Sequence, residues 1–412
     1  MTKSPKHKWI FLARFRAGVY SWKSSRLACQ RLREAVVEIK KVAKKEPLLA
    51  AEGAVRLMEK LWPALEHVDS SSGALGSAVN KTLDDLIPLI IIAPVEAKTR
   101  NKWLKRLWQA MADDGVDYLG PVGDRWGELC GSMETANQWA EELMPTLKSC
   151  WTDPNPARYF HGTTACLSCL LVARRYQDML DLLGLDRKPF WHYRRYGVEA
   201  LLAMGKKSEA LKYAEASRGL NQPDSAIDRA CEEILISSGL HDEAYRRYGL
   251  SAAKGNSYLA RYRAVAKRYP VMVPAEILAD LIKTTPGEEG KWFATAKELE
   301  LFNLALELAN QSPCDPKTLT RAARDYLDSE PPFALGAANA ALRWLIEGWG
   351  YEVTSIDVVE AHDRAMDAAT RLNKVDEVSE QIRLLVEVND NAGRPNAARQ
   401  FVRQALQGRV RY

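Results

Sequence analysis

Long hydrophobic runs are absent from this 412-residue chain. The longest, Leu86 to Pro94 (LIPLIIIAP), is about half of the ~20 apolar residues a spanning helix requires, so it predicts a buried helix and no membrane span. Cysteine is scarce: seven residues (29, 130, 150, 166, 169, 231, 314), odd in number and scattered, make no disulfide framework. Nothing at the N-terminus has the apolar core of a secretory signal, and a reducing cytoplasm is the expected compartment. Runs of strict apolar–polar alternation bounded by hairpin turns are missing, which argues against a β fold. Catalytic patterns are missing as well. There is no HExxH, GxSxG or GxGxxG, and AMGKKS has Gly205 and Lys206 without the earlier glycine and the following Ser or Thr of a phosphate-binding loop. The six histidines (7, 67, 161, 192, 241, 362) are scattered, His362 on an expected helix surface. The expectation is a protein that is not an enzyme and needs no cofactor.

What is present is helical periodicity. Leu32, Val36, Ile39 and Ala43, spaced 4, 3 and 4 apart, form one stripe of a helix from about Ser24 to Lys45, which Pro47 ends. PLLAAEGAVRLMEKLWPAL repeats the pattern, with Leu49, Val55, Leu57, Met58 and Leu61 inward before Pro63. A composition 47% hydrophobic and 27% charged is that of a folded chain rather than a disordered one. Its length calls for two or three domains or one extended repeat stack.

One short pattern returns at a fixed distance. In LLAMGKKSEALKYA, Gly205 precedes Ala210; in LISSGLHDEAYRRY, Gly239 precedes Ala244, and both residues lie 34 positions on. LVARRYQDMLDLL is a degraded copy upstream, with Ala173, Gln177 and Met179, and NAGRPNAARQFV repeats the spacing at Gly393 and Ala398. A period near 34, a glycine closing one helix and a small residue inside the next resemble the tetratricopeptide repeat. Such pairs bury their apolar faces by stacking, so the resemblance implies an all-α solenoid of antiparallel helix pairs, tetratricopeptide- or HEAT-like. Segments 67–80 (HVDSSSGALGSAVN), 286–297 (PGEEGKWFATAK) and 312–326 (SPCDPKTLTRAARDY) also resemble an uncharacterised bacterial all-helical family related to the repeat regions of SWIM zinc-finger-associated proteins. That resemblance implies a helical-repeat fold and no known activity; the SWIM cysteine and histidine motif is absent. The expected organisation is a basic aromatic arm (1–23), a HEAT-like region (24–150), a tetratricopeptide-like region (151–330) and C-terminal helical repeats (331–412). Breaks at WTDPNPARYF (151–160) and SEPPFALG (329–336) set the boundaries.

The formal charge of +5 is unevenly spread: residues 1–45 hold 13 lysines and arginines against Glu34 and Glu38, a net of +11, leaving −6 for the rest. Lys6, Lys8, Arg14, Arg16, Lys23, Arg26 and Arg33 are interleaved with Trp9, Phe11, Phe15, Tyr20 and Trp22, and Arg26, Arg33, Lys40 and Lys44 share a helix face. Cations neutralise phosphates and aromatic faces stack on unpaired bases, so this segment is a nucleic-acid candidate. The competing reading is a solvated charged face whose aromatics cap the first helix pair. Ser70, Ser71, Ser72 and Gly73 precede an apolar helix and suit either an anion at its N-terminus or ordinary capping. Cys150, His161, Cys166 and Cys169 are potential soft ligands within 20 residues, yet ACLSCLLVA reads as one apolar helix, and no metal site is expected. Trp191, Arg194 and Arg195, on WHYRRYGVEALLAMG, are candidates for gripping an acidic peptide from a repeat groove. Together these features point to a non-catalytic interaction protein with a protein partner, and a nucleic-acid-binding protein as the alternative.

Overall fold

A computed structural model describes residues 7–153, 160–187, 190–219 and 223–391, the side chains of 386–391 excepted. The fold is all-α, with no strand among the described residues. Contacts divide the chain into two compact units, Met1–Pro223 and Asp224–Tyr412. The first carries 34 basic and 25 acidic residues, net +9; the second carries the remaining 24 and 28, net −4.

The helices of the first unit are α1 (Phe11–Arg14), α2 (Ser25–Ala43), α3 (Pro47–Leu65), α4 (Ala74–Ile91), α5 (Ala97–Ala112), α6 (Gly120–Asp124), α7 (Trp126–Leu129), α8 (Met133–Thr152), α9 (Thr163–Val172), α10 (Tyr176–Leu183), α11 (Trp191–Ala203) and α12 (Lys207–Glu215). Each packs on near neighbours in sequence, α2 on α3 and α4, α3 on α4 and α5, α8 on α9, α11 on α12. Leu32, Val36 and Ile39 are buried in α2 as their spacing predicts, with Ala43 half-buried at its end; in α3 Val55, Leu57, Met58 and Leu61 are buried, while Leu49 is half-buried and Ala50 is in the core beside it. LIPLIIIAP supplies the buried end of α4 through Leu86, Ile87 and Ile90. Pro63 and Pro88 lie inside helices near their C-terminal ends, so neither stops its helix where it stands. The carbonyl of Pro63 instead accepts the Gly18 N–H at 3.0 Å. Across WTDPNPARYF, α8 and α9 pack directly together, so residues either side of that segment share one core.

The second unit contains α13 (Asp224–Ile236), α14 (His241–Ala244), a π turn (Tyr245–Gly249), α15 (Leu250–Ala252), α16 (Tyr258–Arg268), α17 (Pro274–Lys283), a 3-10 turn (Glu289–Trp292), α18 (Phe293–Glu298), α19 (Phe302–Gln311), α20 (Pro316–Asp325), α21 (Pro331–Ile346), α22 (Ser355–Arg371) and α23 (Val375–Asn391). Here too packing is serial: α18 on α19, α19 on α21, α20 on α21 and α22, α21 on α22 and α23. SEPPFALG is where α21 begins, not a gap in the core. His362, placed by sequence on a helix surface, is 6% exposed.

One junction recurs within both units. Gly205 (φ +77°) and Gly239 (φ +77°) each close a helix in the left-handed conformation. The next residue's N–H reaches back to the carbonyl five positions earlier: Lys206 to Leu201 at 2.8 Å, Leu240 to Leu235 at 3.0 Å. The same bond joins Arg175 to Leu170, Leu301 to Ala296 and Lys374 to Ala369, with Arg174, Glu300 and Asn373 taking the left-handed position. Five residues after each left-handed residue comes a buried contact: Met179, Ala210, Ala244, Ala305 and Val378. A side chain at positive φ costs about 1 kcal/mol or more, so three of these five junctions are built without the residue that makes them visible. The copy at Gly393 and Ala398 lies outside the described residues.

The N-terminal segment docks on its neighbours. Trp9, Phe11, Phe15 and Tyr20 are at most 5% exposed. The Trp9 ring packs on α3, where a Cβ at Gly53 would come within 2.4 Å of it. Glu38 of α2 accepts the N–H groups of Ile10 and Phe11, and Arg14 pairs with Glu34.

Candidate anion-binding groove

The apolar stripe of α5 is Trp103, Leu104, Leu107 and Met111, all buried. On the other face, Lys98, Lys102, Lys105 and Gln109 follow one another at spacings of 4, 3 and 4 and are exposed. They line a groove of about 930 Å³ whose other lining residues include Glu59 and Lys60 from α3, with Asn101, Arg106 and Asp113. That volume lies at the upper end of the range of ligand pockets.

The floor is held by a half-buried ion network. Arg106 donates through Nε and Nη2 to the two oxygens of Glu59, at 2.7 and 2.5 Å, and through Nη1 to Glu52 at 2.9 Å. Arg56 donates to the same Glu52 oxygen at 2.9 Å, and Trp103 Nε1 to the other at 2.5 Å. Burial pushes the Glu52 carboxyl up, but hydrogen bonds from Arg56, Arg106 and Trp103 outweigh it and hold the group ionised below its usual range. The Glu59 bonds hold the Arg106 proton more tightly than usual. Lys60, Lys98, Lys102 and Lys105 make no ion pair with any described residue. The result is a structured floor whose charges cancel and a rim of four unpaired ammonium groups.

Only part of what the sequence singled out comes together. Lys6 lies outside the described residues. Lys8, Arg16, Lys23, Arg26, Arg33 and Lys44 are exposed, Lys40 pairs with Asp85 at 2.6 Å, and Arg14 is taken by Glu34. The aromatics meant to stack on bases are in the core, except Trp22, which is 65% exposed. Ser70, Ser71, Ser72 and Gly73 are exposed before α4, whose N-cap is Gly73 (φ +71°) without a side-chain cap. Asp69 is used on the Ser71 N–H at 2.9 Å. Cys166 and Cys169 are fully buried in α9, where Cys169 Sγ stands 4.0 Å from Cys130 Sγ; burial pushes the Cys166 thiol up to about 12. Among the described residues no group of three His, Cys, Asp or Glu could hold a metal ion.

Trp191, Arg194 and Arg195 do not stand free in a groove. Trp191 is 7% exposed, and Arg194 lies over the Tyr213 ring at 5.0 Å. Arg195 pairs with Asp124 Oδ2 at 2.9 Å, while His192 Nε2 meets Oδ1 at 3.0 Å. Tyr196 donates to the Asp124 carbonyl at 3.0 Å, so α11 is clamped to the end of α6. Burial raises the Asp124 carboxyl, but His192 and Arg195 more than offset this and leave it below the usual carboxylate range. A depressed carboxylate contributes stability that is present above its unfolded value, about 4, and is lost as pH falls through the folded value. Asp124→Asn is therefore expected to be less stable than wild type at neutral pH, with the difference shrinking below about pH 4. Urea unfolding at several pH values checks it, and a difference that stays constant into acid contradicts it.

The lysine row is not among the sequence-based candidates, whose nucleic-acid-binding cations all lie in the first 45 residues. Its signal was available: no acidic residue stands between Glu96 and Asp113, a stretch with five cations. Neither a protein-family model nor a curated protein matches this chain.

Proposed function

We propose that this chain is a helical-repeat interaction protein that binds an anionic macromolecular partner through the α3–α5 groove. The observation that carries this reading is the row Lys98, Lys102, Lys105, with Lys60 opposite, unpaired above a floor that is already neutralised. A lysine without an internal acid contributes little to folding, and four converging on one concavity raise the local potential for an incoming anion. The five matching junctions support a tetratricopeptide-like repeat architecture, which works by presenting surface to partners.

The test is binding of labelled polyglutamate and of duplex DNA to the full chain at two ionic strengths. Lys98→Glu/Lys102→Glu/Lys105→Glu is expected to weaken the bound polyanion by about tenfold or more, and salt to weaken it in the wild type. Unchanged binding in the triple variant would refute the groove. The second reading, nucleic acid on the N-terminal segment, keeps the support of Lys23, Arg26, Arg33 and Lys44, exposed cations on or beside α2. Of its stacking aromatics only Trp22 stays exposed, so phosphate contact carries most of that reading. If Arg26→Glu/Arg33→Glu/Lys44→Glu abolishes duplex binding while the α5 variant leaves it intact, that reading replaces the first.

A further inference from the structure

The groove also discriminates among anions, and resting on the reading above we infer that its occupant is an acid-rich α-helix of a partner protein. Three observations on the lining separate this from nucleic acid. Asp113, which accepts the Gln109 amide at 2.8 Å and pairs with no cation among the described residues, keeps its charge beside the lysines, so a uniformly negative phosphate strand would meet like charge there. A peptide places neutral or basic residues there. No aromatic residue is among the lining residues, which removes the stacking platform that unpaired bases use. The one arginine, Arg106, has its fork spent on Glu59 and Glu52, leaving compact lysine ammonium groups that suit single carboxylates.

Register completes the argument. Lys98, Lys102 and Lys105 repeat at helical spacing over about 10 Å, and Gln109 extends the stripe to about 16 Å. A partner helix laid along α5 with acids at i, i+4 and i+7 presents carboxylates at the same intervals, and its neutral positions face Gln109 and Asn101. This is recognition of a helix in a groove, with charge in place of the usual apolar anchors.

Three probes distinguish the outcomes by fluorescence anisotropy on the full chain: an alanine-based helical peptide with glutamates at i, i+4 and i+7, a peptide of the same composition with glutamates spread round the helix, and a short DNA duplex. The patterned peptide is expected to bind at least about fivefold more tightly than the scrambled one, and Lys98→Gln/Lys102→Gln/Lys105→Gln to remove that preference. Unaltered helicity of the variant by circular dichroism shows that the loss is one of binding. Equal affinity for the two peptides overturns the helix assignment. Duplex binding that needs the three lysines, without peptide binding, also overturns it while leaving the anionic-partner reading standing. Independence of every probe from the lysines removes both.

Discussion

Gly127→Ala is expected to destabilise the first unit by about 3 kcal/mol, among the largest effects of any single methyl group in the chain. A Cβ at Gly127 would lie 2.2 Å from the Ser168 carbonyl oxygen and 2.7 Å from its carbon, with Val172 Cγ2 at 2.9 Å. These are backbone atoms of α9, so relief requires separating α7 from α9 and not merely turning a side chain. Separation would also break the bond from Gly127 N–H to Ser168 Oγ, 3.0 Å long and buried. Gly76 is the control: it lies within α4, and a Cβ there meets nothing within 4 Å. Gly76→Ala should stabilise by up to about 1 kcal/mol through helix propensity. Urea unfolding of the two variants makes the comparison, and equal stabilities would contradict the close approach. Gly290 repeats the device in the second unit, its N–H on Ser312 Oγ at 2.8 Å and its Cα against the Ser312 carbonyl.

Arg100→Met is expected to cost about 3 kcal/mol, even though it removes a buried charge. Arg100 is 7% exposed and reaches the C-terminal end of α4, donating through Nη1 to the Ile90 carbonyl at 2.5 Å and through Nη2 to those of Ala93 at 2.9 Å and Ile91 at 3.3 Å. Burial lowers its affinity for the proton, which measures the cost of keeping the guanidinium there. Against that stand three charge-assisted bonds to carbonyls at and just past the end of α4, of which Ile90's and Ala93's also accept the N–H groups of Ala93 at 3.4 Å and Val95 at 2.9 Å while Ile91's relies on the guanidinium, and the attraction of a cation for the negative helix end. The three charge-assisted bonds together, at about 1.5–3 kcal/mol each, outweigh the desolvation that methionine relieves. Lysine at this position keeps the charge but not the fork, so Arg100→Lys should fall between wild type and Arg100→Met. A methionine variant as stable as wild type would show that water replaces the guanidinium without loss.

Both residues show how far the sequence could be read. Helix periodicity is a local property of three or four successive turns, so α2 and α3 are legible from the spacing of their apolar residues, and α9 and the end of α4 from short continuous apolar runs. Glycine at Gly205 and Gly239 marks a junction because the left-handed conformation favours it. Arg174 and Glu300 hold the same turn, where tertiary packing of the following helix offsets the local cost and nothing in their side chains announces it; Asn373 holds it too, with the tolerance of the left-handed region that asparagine has. Trp9, Phe11, Phe15 and Tyr20 look the same in sequence whether they stack on bases or fill a core. For Trp9 the bare Cα of Gly53 on a different helix decides between the two, and the other three are buried in the same core.

The candidate site divides along the same line. Sequence alone determined that the chain is helical and that its basic charge is concentrated near the N-terminus. Tertiary structure decided which of the α5 cations matter to what. Arg100 falls on the stripe of Leu104, Leu107 and Met111 and turns inward to α4; Arg106 is neutralised by α3; Lys98, Lys102 and Lys105 are left over water. The physical reason is that a helix sets the direction of each side chain within one turn, while the carbonyl, carboxylate or open solvent each one meets is supplied by residues up to 54 positions away, as with Glu52 and Arg106.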